Sequence, residues 1–350
     1  MDGKKLFEIN ESVSADKKNR RLDNSLISEY QGDTLFSDVY IEHNALPNIS
    51  FEDIDTSIEF MGKRIDFPLM INAMTGGTDQ GFEVNEALFS LSQEFNIPMQ
   101  LGAQDLMLED ESLADLYLDL EARESDKPFF LISNLSARAS IEEIEKAMDI
   151  LNTQGIGLHL NITQDLFSSD IKNNFSGILE NISKVADKFK DRLIVKEVGA
   201  GMSTGVAQKL VKAGVKYIDV AGFGGSNFIE IENLRNYDKD FSDLYGWGIP
   251  TSKAILNARQ ASGQVFLIAS GGIKTALDIV KAIILGADMV AISGEILKYI
   301  LHAGQEGAKE YLADLIYKVK IVMIMLGVKN IEELKQVPYR LTGKLKEITD

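Results

Sequence analysis

The chain has 350 residues, 45% hydrophobic and 25% charged, an ordinary balance for a soluble globular protein and enough for two average domains or one large α/β barrel of ~250 residues with extensions. Its formal net charge of −17 argues against nonspecific binding to nucleic acid or anionic membrane, and obliges any phosphate-bearing ligand to find local basic residues and backbone donors. The absence of cysteine excludes disulfides, thiolate nucleophiles and thiolate metal sites, and fits a reducing compartment.

In chain order, the first ten residues show no apolar core of a signal peptide. The longest apolar runs, such as residues 321–326, fall short of the ~20 residues that cross a bilayer. The Asn-x-Ser/Thr triplets at Asn48, Asn174 and Asn181 therefore read as chance, and the expectation is a cytoplasmic protein. Residues 1–30 are polar, with the basic run Lys17-Lys18-Asn19-Arg20-Arg21, which suits either a solvated arm or a ligand contact. Residues 58–60 and 65–67 flank Met61-Gly62-Lys63-Arg64 and predict a hairpin, placed by analogy at the bottom of a barrel. We divide the chain into an arm and lead-in (1–60) and a barrel (61–350), one domain overall.

From residue 67 strands and helices alternate without a break. Strands are predicted at residues 67–73, 97–101, 129–132, 156–160, 193–197, 217–220, 265–269 and 288–292. Helices are predicted at 82–95, 110–124, 141–151, 175–189, 204–213, 252–261, 275–285 and 305–326, with a long irregular insertion after strand six. Eight β/α units with short links point to a closed (β/α)8 TIM barrel more than to an open sheet. No internal repeat is visible.

Such barrels place their chemistry at the C-terminal ends of the strands. Strand one ends Asn72-Ala73-Met74-Thr75-Gly76-Gly77, strand three Ser133-Asn134, strand six Ala221-Gly222-Phe223-Gly224-Gly225-Ser226 and strand seven Ser270-Gly271-Gly272. Polar residues separated by glycines suit a flat anionic ligand across the mouth. Gly271-Gly272, feeding the helix at 275–285, leaves bare N–H groups before a positive helix end, as phosphate requires. The same pair also serves an ordinary tight turn.

Alternation along strand four sends Leu158 and Leu160 to the helix layer and Gly157, His159 and Asn161 into the barrel, with Gln164 and Asp165 just beyond. A lone inward histidine is usually a satisfied core residue, but the in-register asparagine and the Gln-Asp pair favour a functional wall. Lys196 shares the inward face of Ile194, and a buried lysine is costly unless it meets an anion.

These residues carry a resemblance. The segments HNALP (43–47), INAMTGGT (71–78), SNLSA (133–137), HLNITQDL (159–166), VKEVGAGMS (195–203), VKYIDVAGFGGSNFIEIEN (215–233), WG (247–248), ASGGIKTALD (269–278) and GKLKE (343–347) occur in order. From about Arg20 to the last residues the chain resembles the type 2 isopentenyl-diphosphate isomerases, FMN-dependent (β/α)8 enzymes. The resemblance implies interconversion of isopentenyl and dimethylallyl diphosphate with reduced FMN and Mg2+, with NADPH as the reductant of the flavin. It assigns FMN to Ala73, Met74, Thr75, Asn134, Lys196, Ser226, Gly271, Gly272, Ile273, Ser293 and Gly294. It gives the substrate to Arg20, Arg21, Gln104 and Gln164, catalysis to Gln164, Lys196, His159 and Asn161, and the metal to Asp165, where the family has Glu. A homo-oligomer, tetramer or octamer, follows from it as well.

The chain departs from the family pattern at Asn24, where the basic motif has His. Ala103-Gln104-Asp105 replaces a segment opening on Ser, and Phe167-Ser168-Ser169-Asp170 replaces Met-Pro-Glu-Gly. Two other readings of the same barrel are an FMN-dependent oxidoreductase and a flavin-binding pseudoenzyme. Against 2-hydroxyacid oxidation, which uses a late histidine–arginine pair, no histidine lies between His159 and His302.

Overall fold

The computed structural model describes Ser28 and residues 32–119, 129–167, 174–235 and 239–350. Eight parallel strands close into a barrel: β1 Leu69–Ile71, β2 Met99–Gln100, β3 Leu131–Ser136, β4 Gly155–His159, β5 Leu193–Lys196, β6 Tyr217–Asp219, β7 Phe266–Ala269 and β8 Met289–Ile292. β8 pairs with β1, Val290 opposite Leu69 and Ile292 opposite Ile71, which completes the ring. Seven strands fall on their predicted segments to within two residues, whereas β3 begins two residues late and runs four past the predicted 129–132. They read as continuous apolar runs because helices cover one face and the barrel interior the other.

The helices Asp79–Glu94, Ile141–Ile150, Ile178–Phe189, Thr204–Lys212, Thr251–Ala261 and Ala276–Ile284 match their predicted segments within a few residues. Three expectations change. Instead of one acidic helix over 110–124 there is a short α-helix, Asp105–Glu109, then a 3-10 helix, Glu111–Leu116, split where Asp110 turns extended and its carboxylate accepts from Ser112 N. Residues 120–128 lie outside the described set. The predicted helix at 305–326 is present, but Gly304, whose φ of 68° is non-helical, separates it from a further helix that starts at Gly294 and was not predicted. The stretch after β6 is less irregular than expected, because Asn227 caps a helix at Phe228–Asn233.

The hairpin Ile58–Phe60/Lys63–Ile65 turns on Met61 and Gly62, both at positive φ. Its Phe60 and Ile65 join Met70, Ile132, Ile194, Ile268 and Met289 in an apolar layer that fills the N-terminal end of the barrel. Two residues further along β1, β3, β5, β6 and β7 the inward side chains are polar: Asn72, Asn134, Lys196, Asp219 and Ser270. That switch marks the floor of the site. The lead-in is tied to the C-terminal tail by antiparallel pairing of Val39–Ile41 with Tyr339–Leu341, and Leu35, Phe36 and Val39 are buried in the main core.

Candidate active site

A cavity of about 300 Å3 opens over the C-terminal strand ends. Its lining includes Ala73, Met74, Thr75, Asn134, His159, Asn161, Gln164, Lys196, Ser226, Gly271, Gly272, Ile273, Ser293 and Gly294. The structure therefore brings together every expected cofactor residue and every expected catalytic one. Gln104 does not line the cavity; it is fully buried just behind it, its Oε1 accepting from Asn134 N at 2.9 Å. Arg20, Arg21 and Asn24 lie outside the described residues.

The floor is a charge-paired layer. Asp219, with no exposed surface, accepts from Asn72 Nδ2 at 2.9 Å, Ser270 Oγ at 2.6 Å and Ala221 N at 3.1 Å. Lys196 Nζ stands 4.0 Å from its Oδ2 and donates to the Glu197 carbonyl at 3.0 Å. Sequence reasoning passed over Asp219, although one acid inside the run VKYIDV, on the inward parity of β6, was a usable signal.

Beside the lysine, Glu197 Oε2 accepts the N–H groups of Val198, Gly199, Ala200 and Gly201 at 2.6–3.2 Å and so folds the chain after β5. Burial pushes this carboxyl up to about 7, against the opposing pull of the N–H donors of Gly199, Ala200 and Val198. Glu197 is a structural acid facing away from chemistry, and its N–H bonds build the loop that carries Val198 and Gly199 along the cavity.

The anionic end is a pair of interlocked glycine turns. A Cβ on Gly271 would meet Gly222 O at 2.0 Å, and one on Gly272 would meet Gly224 O at 2.1 Å. Both glycines also have positive φ, 99° and 73°. The expected helix behind this turn spends part of its start internally, because Thr275 and Asp278 form a capping box at the head of Ala276–Ile284. A different helix faces the cavity: Gly294–Leu326 begins there, and its N-cap Ser293 makes no side-chain cap. Its first turn lies beside Ser226 and the glycine turns, an arrangement of backbone donors that could hold a phosphate, as is usual after the last two strands of such barrels. Lys274 and Lys298 line the same end.

On the opposite wall, His159 Nδ1 is 3.1 Å from Asn134 Oδ1. Burial first of all lowers its pKa to about 4, so the imidazole is neutral near neutral pH. Asn161 Nδ2 bonds Gln164 Oε1, and Gln164 Nε2 donates to Glu232 Oε1 at 2.8 Å. Glu232, almost fully buried, is paired through its other oxygen with Arg235 at 2.8 Å. Glu232 is a second residue the sequence reading missed. Its contact with Gln164 spans 68 positions, and no local pattern announces it.

The metal expectation fares differently. Asp165 Oδ2 is held by Arg138 Nη1 at 2.6 Å, and no group of three Asp, Glu, His or Cys able to hold a metal occurs among the described residues. Magnesium is bound by one or two carboxylates together with substrate phosphates and its own waters. A guanidinium on the one expected ligand puts positive charge where a dication would sit. These residues do not fit a magnesium site.

Comparison with known proteins follows the same lines. The model of the FMN-dependent dehydrogenase family matches residues 121–340. The isopentenyl-diphosphate delta-isomerase of Bacillus pumilus (strain SAFR-032) is 34% identical over 94% of this chain and 92% of its own. That of Pyrococcus abyssi (strain GE5 / Orsay) is 33% identical over 89% of this chain and 88% of its own. Among solved structures, a mandelate oxidase variant with a monooxide FMN adduct superposes with a TM-score of 0.61 at 17% identity, covering 89% of this chain and 90% of that one. A flavocytochrome b2 variant with sulfite bound gives 0.64 at 18% identity, over 90% and 79%. At such identities the structures speak for the fold alone, whereas the relatives match nearly end to end. The chain belongs to the FMN-dependent dehydrogenase family and, within it, to the type 2 isopentenyl-diphosphate delta-isomerases.

Proposed function

We propose that the protein interconverts isopentenyl and dimethylallyl diphosphate on bound FMN kept reduced by NADPH. The observation that carries this reading is one cavity with a glycine-turn phosphate cradle at one end, a buried lysine in its floor and the Asn161–Gln164–Glu232 chain in its wall. When bound, reduced FMN supplies an anionic ring able to exchange protons with the alkene.

The chain's own residues then do the following. Lys196, buried in the cavity floor, would offer a bound flavin fixed positive charge that water screens little. The reaction adds a proton to the terminal alkene carbon and removes one from the carbon next to that bearing the diphosphate, so a cationic centre develops. A neutral His159 adds no charge to oppose that centre. Gln164 is fixed at both ends of its amide, which leaves Oε1 at the cavity wall in one orientation to hold or pass a proton. No step is assigned to a metal, because Asp165 is engaged by Arg138.

The substrate is thus a small diphosphate, with nucleic acid disfavoured by the net charge of −17. Among the described residues no helix is long and apolar enough to cross a membrane. A cytoplasmic homo-oligomer, tetramer or octamer, with Arg20 and Arg21 closing over the diphosphate completes the proposal. Proton NMR of isopentenyl diphosphate incubated with the FMN-loaded protein and NADPH should show dimethylallyl diphosphate, and oxidised FMN without reductant should not support it. Product formed equally well with oxidised flavin would overturn the reading.

A further inference from the structure

Beyond β1 and β2 the cavity is walled by two loops, one carrying Ala73, Met74 and Thr75 and the other Gly102 and Ala103. They touch directly: Gly102 N donates to Thr75 O at 3.1 Å, and a Cβ on Gly102 would fall 2.3 Å from that oxygen. Neither loop lies in a helix or strand, so its position has to be set from outside. Two buried side chains behind the loops do this. Tyr117, just past the 3-10 helix Glu111–Leu116, has no exposed surface, and Asn85 of the helix Asp79–Glu94 is almost fully buried. Asn85 Nδ2 donates to Thr75 O at 3.2 Å and to Tyr117 O at 2.9 Å. The Tyr117 hydroxyl donates to Ala103 O at 2.7 Å.

Between these bonds the Tyr117 ring lies against Gly76 and Gly77, where a Cβ would meet it at 2.4 and 3.0 Å. Gly77 N donates to Leu116 O at 3.0 Å, which fastens the first loop to the same segment. Burial above all, with Asp105 and Glu109 nearby, raises the pKa of the phenol, so its hydroxyl stays protonated and donating. Tyr117 and Asn85 do not line the cavity, whereas Thr75 and Ala103, the residues they hold, do. We propose, on the reading of this cavity as a flavin site, that Tyr117 is a positioning residue that fixes the Thr75 and Ala103 walls relative to each other and so seats the flavin ring. The glycine turns after β6 and β7 seat the phosphate, and the two ends of the cofactor are held by separate devices.

Titration of the protein with FMN and with riboflavin, read by visible absorbance and circular dichroism, tests this without turnover. Tyr117→Phe keeps the ring against Gly76 and Gly77 and deletes only the bond to Ala103. It should weaken both flavins by the same factor, roughly fivefold, the worth of one hydrogen bond, and change the visible circular dichroism of the bound flavin. A loss of global stability moves neither reading below the unfolding transition. Asn85→Ser, too short to reach Thr75 O, should behave alike, and it serves if Tyr117→Phe fails to fold. If either change is missing in the folded variant, or if the loss is confined to FMN, the inference is overturned. A wild type that bound neither flavin would instead overturn the flavin reading itself, and that outcome is seen before any variant is made.

Discussion

Lys196 and Asp219 are the two charges in the floor of the cavity, and their balance governs what a flavin would experience there. Asp219 is completely buried and held by three hydrogen bonds, so its charge cannot be rearranged away from Lys196, 4.0 Å distant. Asp219→Asn keeps one acceptor oxygen for Ser270 and Ala221 N, gives up the one that takes Asn72 Nδ2, and leaves the lysine without a countercharge. An uncompensated cation favours the anionic reduced ring over the neutral oxidised one. The midpoint potential of bound FMN should therefore rise, on the order of 30 mV or more, which for a two-electron couple is about 1.4 kcal/mol. Sulfite, which adds to give a flavin anion, should bind more tightly in parallel. Spectroelectrochemistry and sulfite titration both report this without turnover; an unchanged potential would leave Asp219 a purely structural acid. The inward lysine was legible from strand parity. Its partner lies on the next strand, and which residues face one another across strands depends on register, which a single strand does not encode.

At the level of elements, the glycine turns carry the clearest constraint. Gly271 and Gly272 are required twice, by positive φ and by the carbonyls of Gly222 and Gly224 lying where a Cβ would be. Thr251 Oγ1, donating to Gly271 O at 2.6 Å, fixes the turn from outside. Gly272→Ala must push the two turns apart, and left-handed backbone adds about 1–2 kcal/mol of its own. FMN should lose affinity by roughly tenfold or more, while riboflavin, which has no phosphate to seat there, should lose much less. Equal losses for both would move the phosphate away from this cradle. The strand–turn–helix order of this region was readable because hydrophobic period and glycine position are local signals. The start of the helix assigned to the phosphate is partly committed elsewhere. Thr275 and Asp278 already spelled a capping box in the sequence, which commits the N–H groups of these two residues to each other's side chains. The helix start at Gly294 was missed because no helix was predicted between β8 and about residue 305, the segment that Gly304 separates from the long helix.

The whole molecule divides its two tasks between opposite ends of the barrel. The mouth is lined with polar groups and glycines, while the bottom is closed by a hairpin whose Phe60 has no exposed surface. This ring meets Phe130 at 5.3 Å, Tyr217 at 5.6 Å and Phe266 at 5.4 Å between centroids, side chains at the entry to β3, β6 and β7. Phe60 thus ties together strands that the sequence separates widely, and it belongs to an apolar cluster distinct from the main core between barrel and helices. The hairpin was legible from its two short apolar runs around Met61-Gly62. That it serves as a plug follows from closure of the barrel above it, since an open sheet has no bottom to fill. Phe60→Ala removes the ring from a site where the strand ends, fixed by their ladders, cannot collapse inward. The cost should be about 3–5 kcal/mol of unfolding free energy. Because the polar layer of Asn72, Lys196, Asp219 and Ser270 holds itself by its own hydrogen bonds one level above, FMN affinity at temperatures below the transition should stay near that of the wild type. Chemical denaturation read beside a flavin titration checks both halves. A variant with wild-type stability would mean that the hairpin only covers the barrel, and a variant that lost flavin in proportion to stability would mean that the two ends are mechanically one.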